Sequence, residues 1–246
     1  MNLIIDEGNT RIKIAVFDKN QLVDIEVSNV VSFKRNFQKL TEKYLITKMI
    51  ISSVTSEVLD FLEKSSEIPL VILSNSTPVP FINKYGTPNT LGVDRLALVT
   101  ATQINFSDSN TLVIDAGTCI TYDFINSNNE YLGGAIAPGL EMRFKSMHLQ
   151  TAKLPLLAVP KEAINIIGKS TEECMQSGAL NGMVFEIDGH IEAYLEKYRN
   201  VNVILTGGDA DFLCKQLKNS IFANPNFLLE GLNKILTYQS KNEESL

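Results

Sequence analysis

Two short stretches about a hundred residues apart share one polar order, and that order limits the possible folds more than anything else in the chain. Residues 1–18 run through Leu3, Ile4 and Ile5 into Asp6, turn at Glu7-Gly8-Asn9-Thr10, and leave with Ile12, Ile14 and Val16 spaced by two. Residues 112–123, LVIDAGTCITYD, follow the same plan: apolar residues into Asp115, then Gly117 and Thr118, then outward through Ile120, Thr121 and Tyr122. Alternation on either side of a glycine-bearing turn predicts a β-hairpin in each place. Setting Asp6 on Asp115 also sets Gly8 on Gly117, and Thr10 on Thr118 after one gap. The chain reads as a duplicated unit.

A turn of this kind lines up successive backbone N–H groups on one side, a concavity suited to anions such as phosphate. A carboxylate at its rim, as at Asp6, suits a hydrated divalent cation beside the phosphates. An ordinary hairpin whose Asp and Thr satisfy turn amides has the same local sequence. A pair with one polar order is far less frequent by chance, and such a pair facing across a cleft can hold a nucleotide's phosphates from both sides.

The duplication predicts two lobes, residues 1–107 and 108–246, joined near the small and polar residues 105–110. Apolar content of 44% and charged content of 20% are those of a globular protein with a full core. A net charge of -6 argues against a general affinity for nucleic acid or acidic membranes. There is no run of eighteen apolar residues and the N-terminus enters a strand directly, so neither a membrane span nor a signal peptide is expected, and a cytoplasmic location is. Three scattered cysteines suit reduced thiols, and two histidines leave little for a His-based metal cluster or a Ser-His-Asp triad. Proton transfer then falls to carboxylates.

Residues 22–27 alternate as a third antiparallel strand, and Phe33, Phe37, Leu40 and Tyr44 mark a helix with Ser32 as its expected cap. Short apolar strands at 49–52 and 69–73 flank a helix at 56–64, the element order of a ribonuclease H-like lobe. Residues 74–91 read as a long loop, of the kind often functional, and residues 92–95 open a helix over 96–104. In the second half the pattern predicts a strand at 131–138 and a helix at 140–150. A helical region at 171–198 is broken near Gly178 and Gly182, a strand at 201–205 ends in Thr206-Gly207-Gly208-Asp209, and a final helix covers 226–238. Gly133-Gly134 and Gly207-Gly208 suit a close backbone approach. No Walker A or GxGxxG sequence is present, so any nucleotide falls to the paired hairpins.

Several ordered motifs then add up: DEGNTRIK at 6–13, YGTPNTLGVDR at 85–95, DAGTCITYD at 115–123, GGAIAPG at 133–139, GKST at 168–171 and TGGD at 206–209. Through nearly its whole length the chain resembles the type III pantothenate kinases of the acetate kinase, sugar kinase, Hsc70 and actin superfamily. The resemblance implies an α/β fold of two duplicated ribonuclease H-like lobes with an ATP cleft between them. It also implies transfer of the γ-phosphoryl group of ATP to the primary hydroxyl of pantothenate, the opening of coenzyme A synthesis. On the family's pattern, Asp6, Glu7, Gly8, Asn9, Thr10, Arg11, Ile12 and Lys13 contact ATP and Thr118 meets its phosphates. Asp94 is the proton acceptor, Tyr85, Gly92, Val93, Asp94, Arg95 and Thr171 line the pantothenate pocket, and Asp115 binds a monovalent cation, K+ or NH4+. Magnesium and a homodimer are implied as well. Glu7, Cys119 and Ser170 depart from the residues more usual in the family, and a Glu7 side chain pointing inward would be costly.

In phosphoryl transfer the protein's part is in-line positioning, charge neutralisation and a group that orients the hydroxyl, and Asp94 suits the last. Read alone, Asp94 is also a favoured helix N-terminal residue, Thr171 before two glutamates is also a helix cap, Arg95 a salt-bridge partner and Lys13 a solvated strand residue. Two other classes share the scaffold: a kinase for another small hydroxy acid, and a non-catalytic nucleotide-binding regulator.

Overall fold

The computed structural model of the chain describes residues 1–8, 11–53, 57–160 and 162–243, which divide into two compact units, Met1–Asn105 with Asn226–Leu246, and Phe106–Pro225.

In the first unit β1 (Asn2–Glu7) pairs antiparallel with β2 (Ile12–Asp18), which pairs antiparallel with β3 (Gln21–Ser28). Helix α1 (Val30–Lys43) leads to β4 (Lys48–Ser53), parallel to β1 on its other side, and α2 (Glu57–Ser65) to β5 (Leu70–Ile72), parallel to β4. The order is β3-β2-β1-β4-β5. A central strand is covered on both faces, which is why Leu3, Ile4 and Ile5 form an unbroken apolar run. One face, with Leu3, Ile5, Ile12 and Ile14, packs against Phe33, Phe37 and Leu40 of α1 and Val58 and Leu62 of α2. The cap of α1 is Asn29 rather than Ser32: its Oδ1 accepts from Ser32 N at 3.0 Å, and Ser32 Oγ accepts in return from Asn29 N at 3.2 Å. Val30 and Val31 in the first turn are exposed, so apolar periodicity carries no sign of it. The expected loop 74–91 includes the two-residue strand β6 (Ile82–Asn83) and a 3-10 turn at Pro88–Thr90, before α3 (Val93–Asn105). Of the helix expected at 56–64, Ser56 lies outside the described residues.

The second unit repeats the plan. β7 (Thr111–Ala116) pairs antiparallel with β8 (Cys119–Ile125), and β8 with β9 (Glu130–Pro138). After α4 (Leu140–Gln150), α5 (Thr171–Gln176) runs through a π-helical turn, Ser177–Asn181, into α6 (Gly182–Lys197). The helical region expected to break near Gly178 and Gly182 is thus widened there, not broken. β10 (Asn202–Thr206) lies parallel to β7, and α7 (Ala210–Leu213) precedes β11 (Phe222–Ala223), parallel to β10. Within this unit the order is β9-β8-β7-β10-β11, the counterpart of the first. Even an irregularity recurs. The ladder shifts at Val16/Phe17 and again at Phe124/Ile125, five residues beyond Ile12 and Ile120, the first pairing residues after each turn. Ile114, Ile120, Tyr122 and Phe124 share a core with Phe144 of α4 and Met183, Ile187 and Ile191 of α6.

The chain closes with α8 (Phe227–Glu243), and here the expected lobe boundary of 108–246 needs correction. Leu229, Leu232, Ile235 and Leu236 cover the second face of the first sheet, against Ile4, Ala15 and Ile50 and beside Ala97 of α3. A Cβ on Gly231 would run into the Ala97 carbonyl, so glycine sets how closely α8 approaches α3. Asn233 secures the contact, accepting from Asn2 Nδ2 at 2.8 Å and donating to the Lys19 carbonyl at 2.8 Å. An amphipathic pattern identifies a helix but not which sheet it covers. Among the described residues, no helix is long and apolar enough to cross a membrane.

Candidate active site

Asp6 is the penultimate residue of β1 and the register partner of Lys13. Alternation puts both on the face of Ile4 and Ala15, where α3 and α8 pack. The turn beyond closes through Gly8 N donating to Arg11 O at 3.1 Å; Asn9 and Thr10 lie outside the described residues. Burial pushes Asp6 up from the ordinary 3.8 to about 6, with Lys13 opposing and the charges of Asp94 and Glu7 adding to the rise. Glu7 and Ile12 take the opposite face. Both are 2% exposed, so the inward position that made Glu7 costly is the one it occupies, and the Ile12 side chain is withdrawn into the core.

Asp94 lies exposed in the first turn of α3. Its Oδ1 accepts from Arg95 N at 2.9 Å and rests over the Cα of Gly92, where any side chain would meet it. Arg95 is 4% exposed, with its guanidinium 5.5 Å from the centre of the Tyr85 ring. Tyr85 N in turn donates to Asn83 Oδ1 at 2.9 Å. Five predicted residues, Tyr85 and residues 92–95, thus gather at one helix start, Val93 half-buried among them.

In the second unit Asp115 holds the place of Asp6, penultimate in β7. Gly117 N donates to Cys119 O at 2.9 Å, and Thr118 is exposed at the tip. Three residues separate the pair Ala116–Ile120 where four separate Glu7–Ile12, which is the physical origin of the one-residue gap in the sequence match. Gly207 has φ +97°, and a Cβ there would strike the Ala116 carbonyl and the Asp115 carboxylate. Asp209 N donates to Ala116 O at 3.0 Å, so the 206–209 turn wraps the end of β7. Asp209 is held above the usual carboxylate range by burial and then by Glu141. Gly134 is explained by packing: a Cβ would enter the Tyr122 carbonyl of the neighbouring strand.

Thr171 opens α5, and the cap is its neighbour: Ser170 Oγ accepts from Glu173 N at 3.2 Å. Thr171 therefore keeps its hydroxyl for other work. It lines an open pocket of about 680 Å³ with Met147, Leu154, Lys169, Cys174 and Met175. The spacing Ser170-x-x-Glu173, a capping signature, could have shown this from sequence. Asp209 and Gly139 fall inside the TGGD and GGAIAPG motifs read from sequence, but nothing in those motifs marked their contacts with the second turn.

No group of three His, Cys, Asp or Glu side chains that could hold a metal ion occurs among the described residues. A single half-buried carboxylate, Asp6, with charged neighbours of both signs is no protein cage; it suits a magnesium ion that would arrive on phosphates and keep its waters.

Two sheets of one strand order, each with an acidic-glycine turn after its central strand, define a duplicated ribonuclease H-like protein of the actin and sugar kinase class. Solved structures agree on the fold. A protein from Campylobacter jejuni titled a Baf family transcriptional activator superposes with a TM-score of 0.63 at 21% identity, over 97% of this chain and 99% of that one. The activator of the 2-hydroxyisocaproyl-CoA dehydratase from Clostridium difficile, with bound ADPNP, gives 0.56 at 12% identity over 99% and 97%. The family model for type III pantothenate kinase matches residues 2–193. The type III pantothenate kinase of Christiangramia forsetii is 51% identical over 242 residues, covering 97% of this chain and 98% of that one. The chain belongs to the type III pantothenate kinase family.

Proposed function

We propose that the chain performs its family's reaction with Asp94 as the group that accepts the proton of the attacking hydroxyl. The reaction is ATP-dependent phosphorylation of pantothenate at its primary hydroxyl to 4'-phosphopantothenate, the first step of coenzyme A biosynthesis. The observation that carries the assignment is the exposed Asp94 carboxylate at the start of α3, close enough to Asp6 to bear on its charge, with Arg95 buried beside it. An alcohol becomes a competent nucleophile when its proton has a carboxylate to go to. A side chain that reaches solvent yet sits beside the phosphate-turn acid meets that need.

The remaining roles follow from chemistry. Asp6, Gly8, Arg11 and Lys13 at the end of the first hairpin receive ATP, joined by Asn9 and Thr10 on the family's pattern, and Thr118 meets its phosphates from the second. On the family's pattern Tyr85, Gly92, Val93, Arg95 and Thr171 are assigned to pantothenate: the Arg95 guanidinium, 5.5 Å from the centre of the Tyr85 ring, suits a carboxylate, and Thr171 lines an open pocket within its own unit. Magnesium, when bound, spreads the charge of the transferring group. Asp115, pressed against the glycine of the 206–209 turn, is the position for the monovalent cation. The reading includes a homodimer, as the family's pattern implies. It also includes a cytoplasmic location, supported by the free thiols of Cys119, Cys174 and Cys214.

The test is ADP release from ATP in magnesium and potassium, with and without pantothenate and with a panel of other hydroxy acids. Release that depends on pantothenate is expected. Equal release without it, or faster release with another acid, sinks the substrate assignment. Replacing potassium by sodium is expected to lower the rate, and indifference to the cation removes Asp115 from that role.

A further inference from the structure

Behind the second turn stands a set of contacts that no substrate role explains. Gly139 N donates to Thr118 O at 3.1 Å, and a Cβ on Gly139 would collide with the carbonyls of both Gly117 and Thr118. The end of β9 is therefore pressed onto the turn with no room for slip. Because a peptide unit is planar, holding the Thr118 carbonyl also fixes the direction of the Cys119 N–H. Arg143, one turn into α4, holds the strand end from outside. Its Nε donates to the Pro138 carbonyl at 2.9 Å and its Nη2 to Glu186 Oε2 at 2.6 Å, while the other carboxylate oxygen of Glu186 accepts from Tyr122 Oη at 3.2 Å. The Arg143 and Glu186 side chains keep 17% and 29% of their exposure, so the pair is largely withdrawn from water.

We propose that Arg143 and Glu186 are positioning residues for ATP: by clamping Pro138 they hold Gly139 on the Thr118 carbonyl and so fix the turn that meets the phosphates. The inference rests on the reading of Thr118 as a phosphate contact. A guanidinium fork suits the task because it bonds a backbone carbonyl and a carboxylate at once in fixed geometry. Misplacing a phosphate contact by a fraction of an ångström lowers phosphoryl transfer without touching a group that contacts substrate.

The test compares Arg143→Gln, Glu186→Gln, Arg143→Lys and Thr118→Ala by steady-state kinetics against each substrate and by thermal melting. In Arg143→Gln, kcat/KM for ATP is expected to fall on the order of tenfold with KM for pantothenate unchanged. Arg143→Lys, which can keep one of the two contacts, is expected between that variant and the parent, and Glu186→Gln, which keeps the Pro138 contact, is expected to lose less than Arg143→Gln. Adding Arg143→Gln to Thr118→Ala is expected to cost little more than Thr118→Ala alone, because both act through one turn. A lowered melting temperature with unchanged kinetics, or an equal rise in KM for both substrates, overturns the proposal by showing a merely structural pair. An impaired Thr118→Ala beside an unimpaired Arg143→Gln defeats the clamp alone. A neutral Thr118→Ala defeats the phosphate reading and the clamp with it. If Arg143→Gln does not fold, Glu186→Gln carries the same comparison.

Discussion

Asp94, in the first turn of α3, lies close enough to Asp6, at the end of β1, for its charge to add to the rise in the Asp6 pKa, a rise caused mainly by burial and opposed by Lys13. Two carboxylates that feel one another at the end of a strand take different tasks when their surroundings differ. Asp6 is half-buried among neighbours of both signs, whereas Asp94 reaches solvent.

If Asp94 accepts the hydroxyl proton, Asp94→Asn keeps nucleotide binding and loses pantothenate phosphorylation by on the order of a hundredfold or more. Equilibrium binding of a non-hydrolysable ATP analogue and single-turnover phosphorylation separate the two effects. Turnover like that of the parent removes Asp94 from the mechanism.

Asp6 imposes a pH dependence. With a pKa of about 6 in the folded chain, the fraction ionised falls below that pH, and kcat/KM for ATP is expected to drop about tenfold per pH unit there. A flat profile down to pH 5 contradicts this. Stability runs the other way. The folded chain holds this proton more tightly than the unfolded chain, so the Asp6 contribution is fully present below about 4, is lost as pH rises through about 6, and stays lost above it. Asp6→Asn is therefore expected to raise Tm at pH 7.5 by a few degrees, on the order expected for a change of roughly 1 kcal/mol, with the gain shrinking toward pH 4.

Ser170 and Thr171 separate a cap from a substrate contact. Ser170→Ala, which removes the acceptor of Glu173 N, is expected to cost about 1 kcal/mol of stability, read from the urea midpoint. Thr171→Val is expected to leave that midpoint nearly unchanged and to raise KM for pantothenate several-fold. The reverse pattern would return Thr171 to a capping role.

Gly231→Ala tests the closeness of α8 to α3. Alanine gains about 1 kcal/mol of helix propensity over glycine. Here its methyl would enter the Ala97 carbonyl, a backbone atom that cannot rotate away, and overpacking of this kind costs roughly 1–3 kcal/mol or more. The second effect is expected to win, giving a lower urea midpoint. A midpoint at or above the parent's would show that the helices can part without loss.

The duplicated turn was legible because glycine, a carboxylate and strict alternation leave marks in sequence, and even its one-residue gap corresponds to a real difference in turn length. Other features left weaker marks. Asn29 caps α1 ahead of exposed valines, so apolar periodicity pointed three residues too late to Ser32. The inward side chain of Glu7 contradicts the usual preference of glutamate for water, and only the strand's parity foretold its face. The attachment of α8 was invisible because Leu229, Leu232 and Leu236 would suit either sheet equally well. What decides it is the glycine contact at Ala97 and the two bonds of Asn233, and neither forms a pattern along the chain.

That attachment has a consequence during synthesis. The sheet of the first unit stays only partly covered on the side of Ile4, Ala15 and Ile50, by α3 alone, until α8 is made, while Phe106–Pro225 has all its own residues in hand before then. The unit whose strands are made before Phe106–Pro225 can complete its fold only after that segment is made, and a nascent chain stalled just short of α8 would leave the α8 side of those aliphatic strands uncovered.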